Sequence, residues 1–355
     1  MADIQYRNRR AVALENDALR VTMLVEGGHI AELTHKGSGV NPLWTPPWRS
    51  VEPSKFDPAS GEWGTDAEAK LLAGIMGHNL CLDVFGGPSP EEAAAGLTVH
   101  GEASIVAYEI SVSGGELVAK ASLPLARLEL ERRIRLSGTV AVITESVHNR
   151  SAQDHPTAWT QHVTLGPPFL ERGKTQFRIP GTRSRVFEAD FAGEHGRYKP
   201  GADFDWPRVP LKNGGVLDLR VYPSAEVSGG YTAHLLDPHR EQGFFTAWSP
   251  ASRVMCGYVW KRSDFPWIGI WEENRSRMQP PWNGKTLTRG MEFGASPMPE
   301  TRRRMIERGS MFGVPGYRWL PAGGTASVTY CAFACQTDAI ADEVVWNGGG
   351  DIKFN

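Results

Sequence analysis

Short runs in which apolar and polar residues alternate, separated by glycine-bearing turns, fill most of this chain. A period of two belongs to strands and a period near 3.6 to helices, so this pattern excludes most helical architectures at the outset. Examples are ALRVTMLVEGGHIAELTHKGSG (18–39), ASIVAYEISVSGGELVAKASLP (103–124) and ARLELERRIRLSGTVAVITESVHNRS (126–151). Gly-Gly pairs at 27–28, 114–115 and 229–230 lie between such runs and are expected to form hairpin turns. Helix signals are few. Residues 64–78 predict one helix, with Thr65 as its cap and Glu68 three residues on. Residues 89–96 predict a single turn with Pro90 near its start, and 299–309 fit a helix or an irregular loop. No repeat, linker or break in composition divides the 355 residues. One large all-β antiparallel domain spanning 1–355 is therefore expected, with 41–66 and 193–224 as long Pro- and Trp-bearing excursions.

Charge and motif content remove several function classes. The formal net charge is −2, which does not suit a nucleic-acid binder. The densest basic run, Arg302 to Arg304 with Arg308, neighbours Glu300 and Glu307 and is expected to be a solvated face. No stretch approaches the ~18 apolar residues of a membrane span, and the N-terminus shows no apolar signal core. The four cysteines form no CxxC pair, which points to reduced thiols and a cytoplasmic location. There is no GxSxG, P-loop, GxGxxG or HExxH, so neither a cofactor nor a metal is expected.

What remains is acid–base chemistry beside aromatic rings. The chain has 12 Trp. Trp44, Trp48, Trp63, Trp159, Trp206, Trp267, Trp271 and Trp282 fall in loops or at strand ends, where they serve either packing or stacking on a sugar ring. The run TAWTQHVTLG alternates as a strand with Ala158, Thr160, His162 and Thr164 on one face, and Trp159, Gln161, Val163 and Leu165 on the other. His162 is either a satisfied core histidine or an acid–base group on a polar face. Glu292, between Met291 and Phe293, is either an outward carboxylate or a desolvated general base. His100 stands at a strand mouth, and WIGIWEEN supplies Trp271, Glu272 and Glu273.

Five landmarks together resemble the aldose 1-epimerase (galactose mutarotase-like) superfamily, in that family's order. They are GGHIAELTHKGSGVNPLW (27–44), VHGEAS (99–104), ITESVHNRSAQDHPTAWTQHVTLG (143–166), WIGIWEEN (267–274) and GMEFGAS (290–296). The resemblance implies a β-supersandwich, two large antiparallel sheets with a concave sugar cleft. It implies Glu292 as the base at the C1 hydroxyl, His162 as the acid at the ring oxygen, and His100 as a hydroxyl-binding group. His234, Glu272, Trp271 and Trp44 are the further expected contacts to a small-molecule sugar or sugar derivative. The expected protein is a monomer or homodimer with no membrane or nucleic-acid partner.

Two departures separate this chain from the family pattern. The arginine after the family's Phe-Gly turn is absent, because Phe85-Gly86-Gly87 runs into Pro88-Ser89-Pro90. A middle-strand aspartate is also missing, and SGGYTAHLLD (228–237) offers His234 in its place. Galactose or glucose specificity is therefore not expected to carry over, and the Trp-rich segment 41–66 with Trp282 suggests a different or larger ligand. Elimination or hydrolysis of a modified glycoside, or carbohydrate binding without turnover, remain as alternatives.

Overall fold

The computed structural model describes residues 4–189 and 192–355. The alternating runs form antiparallel strands, as their period of two requires. Among the described residues they assemble into a 12-stranded and an 8-stranded sheet. The centre of the larger sheet runs, in spatial order, through His78–Asp83, His155–Leu165, Leu287–Gly294, Trp267–Asn274 and Ser228–Leu236. Neighbouring strands here come from distant parts of the sequence. The smaller sheet contains Gln242–Ser249, Val254–Lys261, Thr325–Gln336, Val140–Asn149 and Leu128–Ser137 in that order.

The two sheets face each other across an apolar core. Trp159, Val163, Leu165, Ile268, Ile270 and Phe293 come from the larger sheet, and Ile143, Phe245, Tyr258, Trp260 and Tyr330 from the smaller. Trp260 stacks on Phe293 with ring centroids 4.0 Å apart, an aromatic pair adding about 0.5–1.5 kcal/mol beyond its burial. The opposite face of the larger sheet is covered as well. Trp44, Trp63, Leu71, Leu72, Phe85, Tyr231, Trp267, Trp271 and Trp282 make a second cluster there, carried partly by the 41–66 segment and the short helix Ala69–Gly74. The strand His155–Leu165 is thus enclosed on both faces from Thr157 onward.

A buried ion pair sits between the two sheets. Glu145 and Arg132 are both fully buried, with Arg132 Nε donating to Glu145 Oε1 at 2.8 Å. The same carboxylate accepts hydrogen bonds from Trp159 Nε1 (3.0 Å), Gln161 Nε2 (2.6 Å) and the Tyr330 hydroxyl (2.9 Å). A buried carboxylate is tolerated when its lone pairs are filled in this way.

Several expectations change. Residues 27–28 and 114–115 do occupy turns, but Gly229 and Gly230 lie inside the strand Ser228–Leu236. Their small size serves packing: a Cβ on Gly230 would fall 2.6 Å from the Tyr198 ring. The 64–78 helix shrinks to Ala69–Gly74, with Glu68 rather than Thr65 at its start, because His78 already belongs to the sheet. Pro90–Ala94 is helical with a complete Ser89/Glu92 capping box, and Arg302–Arg308 is a helix capped by Thr301. The basic run is only partly solvated. Arg303 and Arg304 are exposed, whereas Arg302 forks onto Asp83 (2.6 Å from NH2 to Oδ2) and Arg308 reaches Glu188 and Glu300.

Replacing Glu145 with Ala leaves Arg132 as an uncompensated buried charge and is expected to cost about 3–5 kcal/mol of stability. Glu129→Ala, which breaks the exposed Arg150–Glu129 pair, is expected to cost below about 1 kcal/mol. Urea unfolding of the two variants checks the contrast, and equal losses would refute it.

Candidate functional site

Antiparallel register builds one row of side chains across five strands. Asn79 pairs with His162, His162 with Glu292, Glu292 with Gly269, and Gly269 with Ala233. Residues directly opposite each other share a face of the sheet, so Asn79, His162, Glu292 and Ala233 project away from the inter-sheet core, and Gly269 leaves a gap in the row. The next row carries Thr164, Gly290, Trp271 and Tyr231. Gly290 keeps the floor open between them: a Cβ there would fall 2.3 Å from Glu292 Oε1.

A cavity of about 310 Å³ opens on this face. His100, His162, Tyr231, Trp271, Arg277, Trp282 and Glu292 line it, with Glu68 at its wall. That volume is at the small end of ligand pockets, which span about 300–1,000 Å³. His100 arrives from outside the sheet. Both His100 (φ 68°) and Gly101 (φ 80°) are left-handed, and a Cβ on Gly101 would strike the Leu82 carbonyl oxygen at 2.2 Å, so only glycine fits there. This turn sets the His100 ring against His162, with centroids 4.7 Å apart.

The central pair is His162 and Glu292. Nε2 of His162 lies 3.1 Å from Glu292 Oε1, and its Nδ1 lies 3.0 Å from the Thr164 hydroxyl. Glu292 Oε1 is nevertheless without a well-aligned hydrogen bond among the described residues, although Glu292 is only 2% exposed. The pair is close but not locked. Desolvation pushes the Glu292 carboxyl up to about 8 and the His162 imidazolium down to about 4. Both shifts favour the neutral forms, with the proton on Glu292 rather than on His162. The same desolvation takes His100 well below the usual histidine range.

Arg277 completes the wall. Its guanidinium stands 4.6 Å over the Trp282 ring and 5.7 Å over Trp271, within 3.5 Å of Glu68 and of Glu273. Sequence reasoning missed it, although its place in the Pro- and Trp-bearing loop after Asn274 was a usable signal. Asn79 was missed too, and nothing in HNLCLD marks it apart from the strand pattern.

The structure therefore brings His162, Glu292, His100 and Trp271 together at one cavity and places three other expected residues elsewhere. Glu272 follows Trp271 and so points to the opposite face, where it accepts from Ser228 Oγ (2.6 Å) and the Tyr198 hydroxyl (3.0 Å) beside Arg289. His234 pairs with Ile268 on that same reverse face and bonds Ser184 Oγ (2.8 Å) and Thr232 Oγ1 (2.9 Å). Trp44 stays behind the wall, stacked on Trp282 at 6.4 Å and nearly parallel. Trp48 likewise packs edge-on to Trp282 and donates to the Leu72 carbonyl (2.8 Å). The Trp-rich 41–66 segment backs the cavity wall. Trp159 lies behind the site in the core, as the alternation required.

Structural comparison identifies the architecture. The chain superposes on a provisionally named aldose 1-epimerase from Klebsiella pneumoniae (TM-score 0.64, 14% identity, 93% of this chain and 80% of that one). A second such protein from Escherichia coli K12 gives 0.62 at 12% identity over 92% and 99% of the two chains. A galactose mutarotase-like protein from Clostridium acetobutylicum gives 0.61 at 13% identity over 95% and 98%. The fold is thus the galactose mutarotase-like β-supersandwich. No protein-family profile matches the sequence, and no curated protein does. Among the described residues no helix is long and apolar enough to cross a membrane.

The raised Glu292 carboxyl has a consequence for stability. In the unfolded chain a glutamate titrates near about 4.3. Between that value and about 8, folding must return a proton to Glu292, so stability falls as pH rises and levels off above about 8. Glu292→Gln mimics the neutral carboxyl. It is expected to match the wild type near pH 4 and to be more stable by several kcal/mol at pH 9, read by calorimetry across that range. No gain at pH 9 would show that the carboxylate is compensated in the folded protein.

Proposed function

We propose that this protein interconverts the anomers of a monosaccharide by acid–base catalysis between His162 and Glu292. The observation that carries the proposal is the 3.1 Å approach of these two desolvated groups on adjacent strands at the floor of a cavity walled by Trp271 and Trp282. The comparison proteins named as aldose 1-epimerases have the same fold, which supports the reaction class by analogy alone.

Anomer exchange needs one group that takes a proton and one that gives a proton. The base removes hydrogen from the C1 hydroxyl, the C1–O5 bond breaks as the C1 carbonyl forms, and the acid protonates O5. Rotation about C1–C2 then presents the other carbonyl face, and reclosure reverses each transfer. The pair must hold a single proton throughout, and its two members exchange states at ring opening. In the family-based assignment Glu292 begins as base and His162 as acid. Burial favours the alternative start, with the proton on Glu292 and a neutral imidazole as acceptor. One proton transfer relates the two starts, so both give the same rate law. His100 offers a hydroxyl contact beside the pair, and the indoles of Trp271 and Trp282 provide apolar wall for the ring to pack against.

The test is saturation-transfer NMR at the anomeric proton over D-glucose, D-galactose, D-mannose, D-xylose and L-arabinose. Glu292→Gln and His162→Asn are each expected to lower kcat about 10²–10⁴-fold on the accepted sugar. Activity at wild-type level in both variants would sink the assignment. The pH profile of kcat/KM is expected to be bell-shaped. Its rising limb, near about 4, follows loss of a proton from His162, and its falling limb, near about 8, follows ionisation of Glu292.

A further inference from the structure

His100 lines the cavity, and a histidine there can present either an N–H donor or a bare nitrogen acceptor. The structure assigns Asn79 as the positioning residue that holds neutral His100 in the Nε2–H tautomer, so that the cavity is offered a permanent hydrogen-bond donor. The assignment rests on the acid–base reading of the site only for its catalytic meaning, not for the tautomer itself.

The tautomer follows from a chain of three hydrogen bonds with a single consistent direction. Ser104, fully buried, gives its only hydroxyl hydrogen to the Leu80 carbonyl oxygen at 2.8 Å. Its Oγ is then an acceptor toward everything else. Asn79, also fully buried, places its amide nitrogen 3.2 Å from that Oγ and 3.2 Å from Nδ1 of His100. An amide NH2 carries two hydrogens and no usable acceptor, so one hydrogen goes to Ser104 and the other to His100. Nδ1 of His100 must therefore be the bare nitrogen, and the ring hydrogen sits on Nε2. No hydrogen bond from Nε2 is made among the described residues, and the ring borders the cavity.

The opposite amide orientation fails on the same count. It would turn the Asn79 oxygen toward a serine whose hydrogen is already committed. It would also move both amide hydrogens to the place where Oδ1 now has no partner among the described residues. Two buried donors would be orphaned in place of one acceptor, and each orphan costs about 1–3 kcal/mol. Burial adds to the effect because it keeps the His100 ring neutral, so the tautomer rather than the charge decides what the cavity meets.

The position of Asn79 fits this role. It is the cross-strand partner of His162 and so stands on the cavity face, one strand further from Glu292. Sheet register sets its backbone, while the left-handed His100–Gly101 turn brings the imidazole down to meet it. Asn79 itself is absent from the cavity lining. It acts through His100.

Long-range 1H–15N correlation NMR on the 15N-histidine-labelled wild-type protein near pH 7 reads the tautomer without any sugar. The expected result is a single neutral species for His100, with Nε2 protonated and Nδ1 bare; signals are assigned by loss in His100→Gln. A hydrogen on Nδ1 in the wild type overturns the proposal, whatever the enzyme does. In Asn79→Asp the facing group becomes an acceptor, so Nδ1 is expected to gain a hydrogen. A bare Nδ1 in that variant also overturns it. With the sugar that exchanges fastest in the panel above, Asn79→Asp is expected to change KM by about tenfold or more; an unchanged KM would sever the link to binding. If no sugar exchanges, the tautomer measurements still decide the proposal, so its failure and that of the anomer-exchange reading are separable.

Discussion

The carboxylate of Glu145 is the constraint on which the site rests, although it lies on the far side of the sheet. It gathers Trp159 and Gln161 from the His155–Leu165 strand and Arg132 and Tyr330 from the smaller sheet into one buried cluster. Those two strand residues flank Thr160 and precede His162, so fixing them fixes which face His162 occupies. A slip of one residue would exchange the faces of every side chain on that strand. It would drive the His162 imidazole into the core beside Arg132 and leave Glu145 without two of its donors. The polar cluster thus specifies register as well as contributing energy, a role for which buried ionic groups are better suited than for raw stability.

The cavity face works by the opposite arrangement. Where the Glu145 carboxylate is filled by four donors, the cavity face leaves Glu292 Oε1 and Thr160 Oγ1 buried without hydrogen bonds among the described residues. Glycines at 269, 290 and 294 thin the floor, and indoles at 267 and 271 stand along the Trp267–Asn274 strand between them. The result is a site whose ionisable groups are pushed toward neutrality chiefly by burial. Such a site destabilises the empty protein, and a bound polyol could satisfy the unfilled groups. That trade of stability for prepared polarity is common at binding sites.

How much of this was legible in the sequence follows from the same alternation. The strand class, the Ser89/Glu92 cap, the His162 face and the Trp159 face could all be read because a period of two is local. His234 and Glu272 were misplaced because order of motifs, not parity, selected them. Trp271 and Glu272 are adjacent in one strand and cannot both face a cavity, a contradiction visible without coordinates. Gly229 and Gly230 looked like a turn because the Tyr198 ring that needs their bare backbone lies about 30 residues away in sequence. Asn79 was illegible for the same reason. Its role comes from His100 and Ser104, 21 and 25 residues away in sequence, and only the fold brings such partners together.

The charge arrangement of the wall bears on what the proposed reaction asks of a substrate. Among the described residues Arg277 is the arginine in the cavity lining, and Glu68 and Glu273 each lie within 3.5 Å of it while Trp282 shields one face. Its charge is offset locally, and the His162–Glu292 pair is neutral in the arrangement that burial favours. A neutral sugar would therefore enter without forcing either pair to change its total charge. Ring opening then moves one proton off the sugar and another onto it, so the only charge that develops is the opposed pair on His162 and Glu292 themselves. At 3.1 Å and with both side chains buried, that opposed pair attracts strongly and offsets part of the desolvation that had kept both groups neutral. The same burial that holds the resting pair neutral thus strengthens the attraction in the state that follows proton transfer, provided the two groups stay adjacent. The anchoring of both strands by the core behind them secures that adjacency.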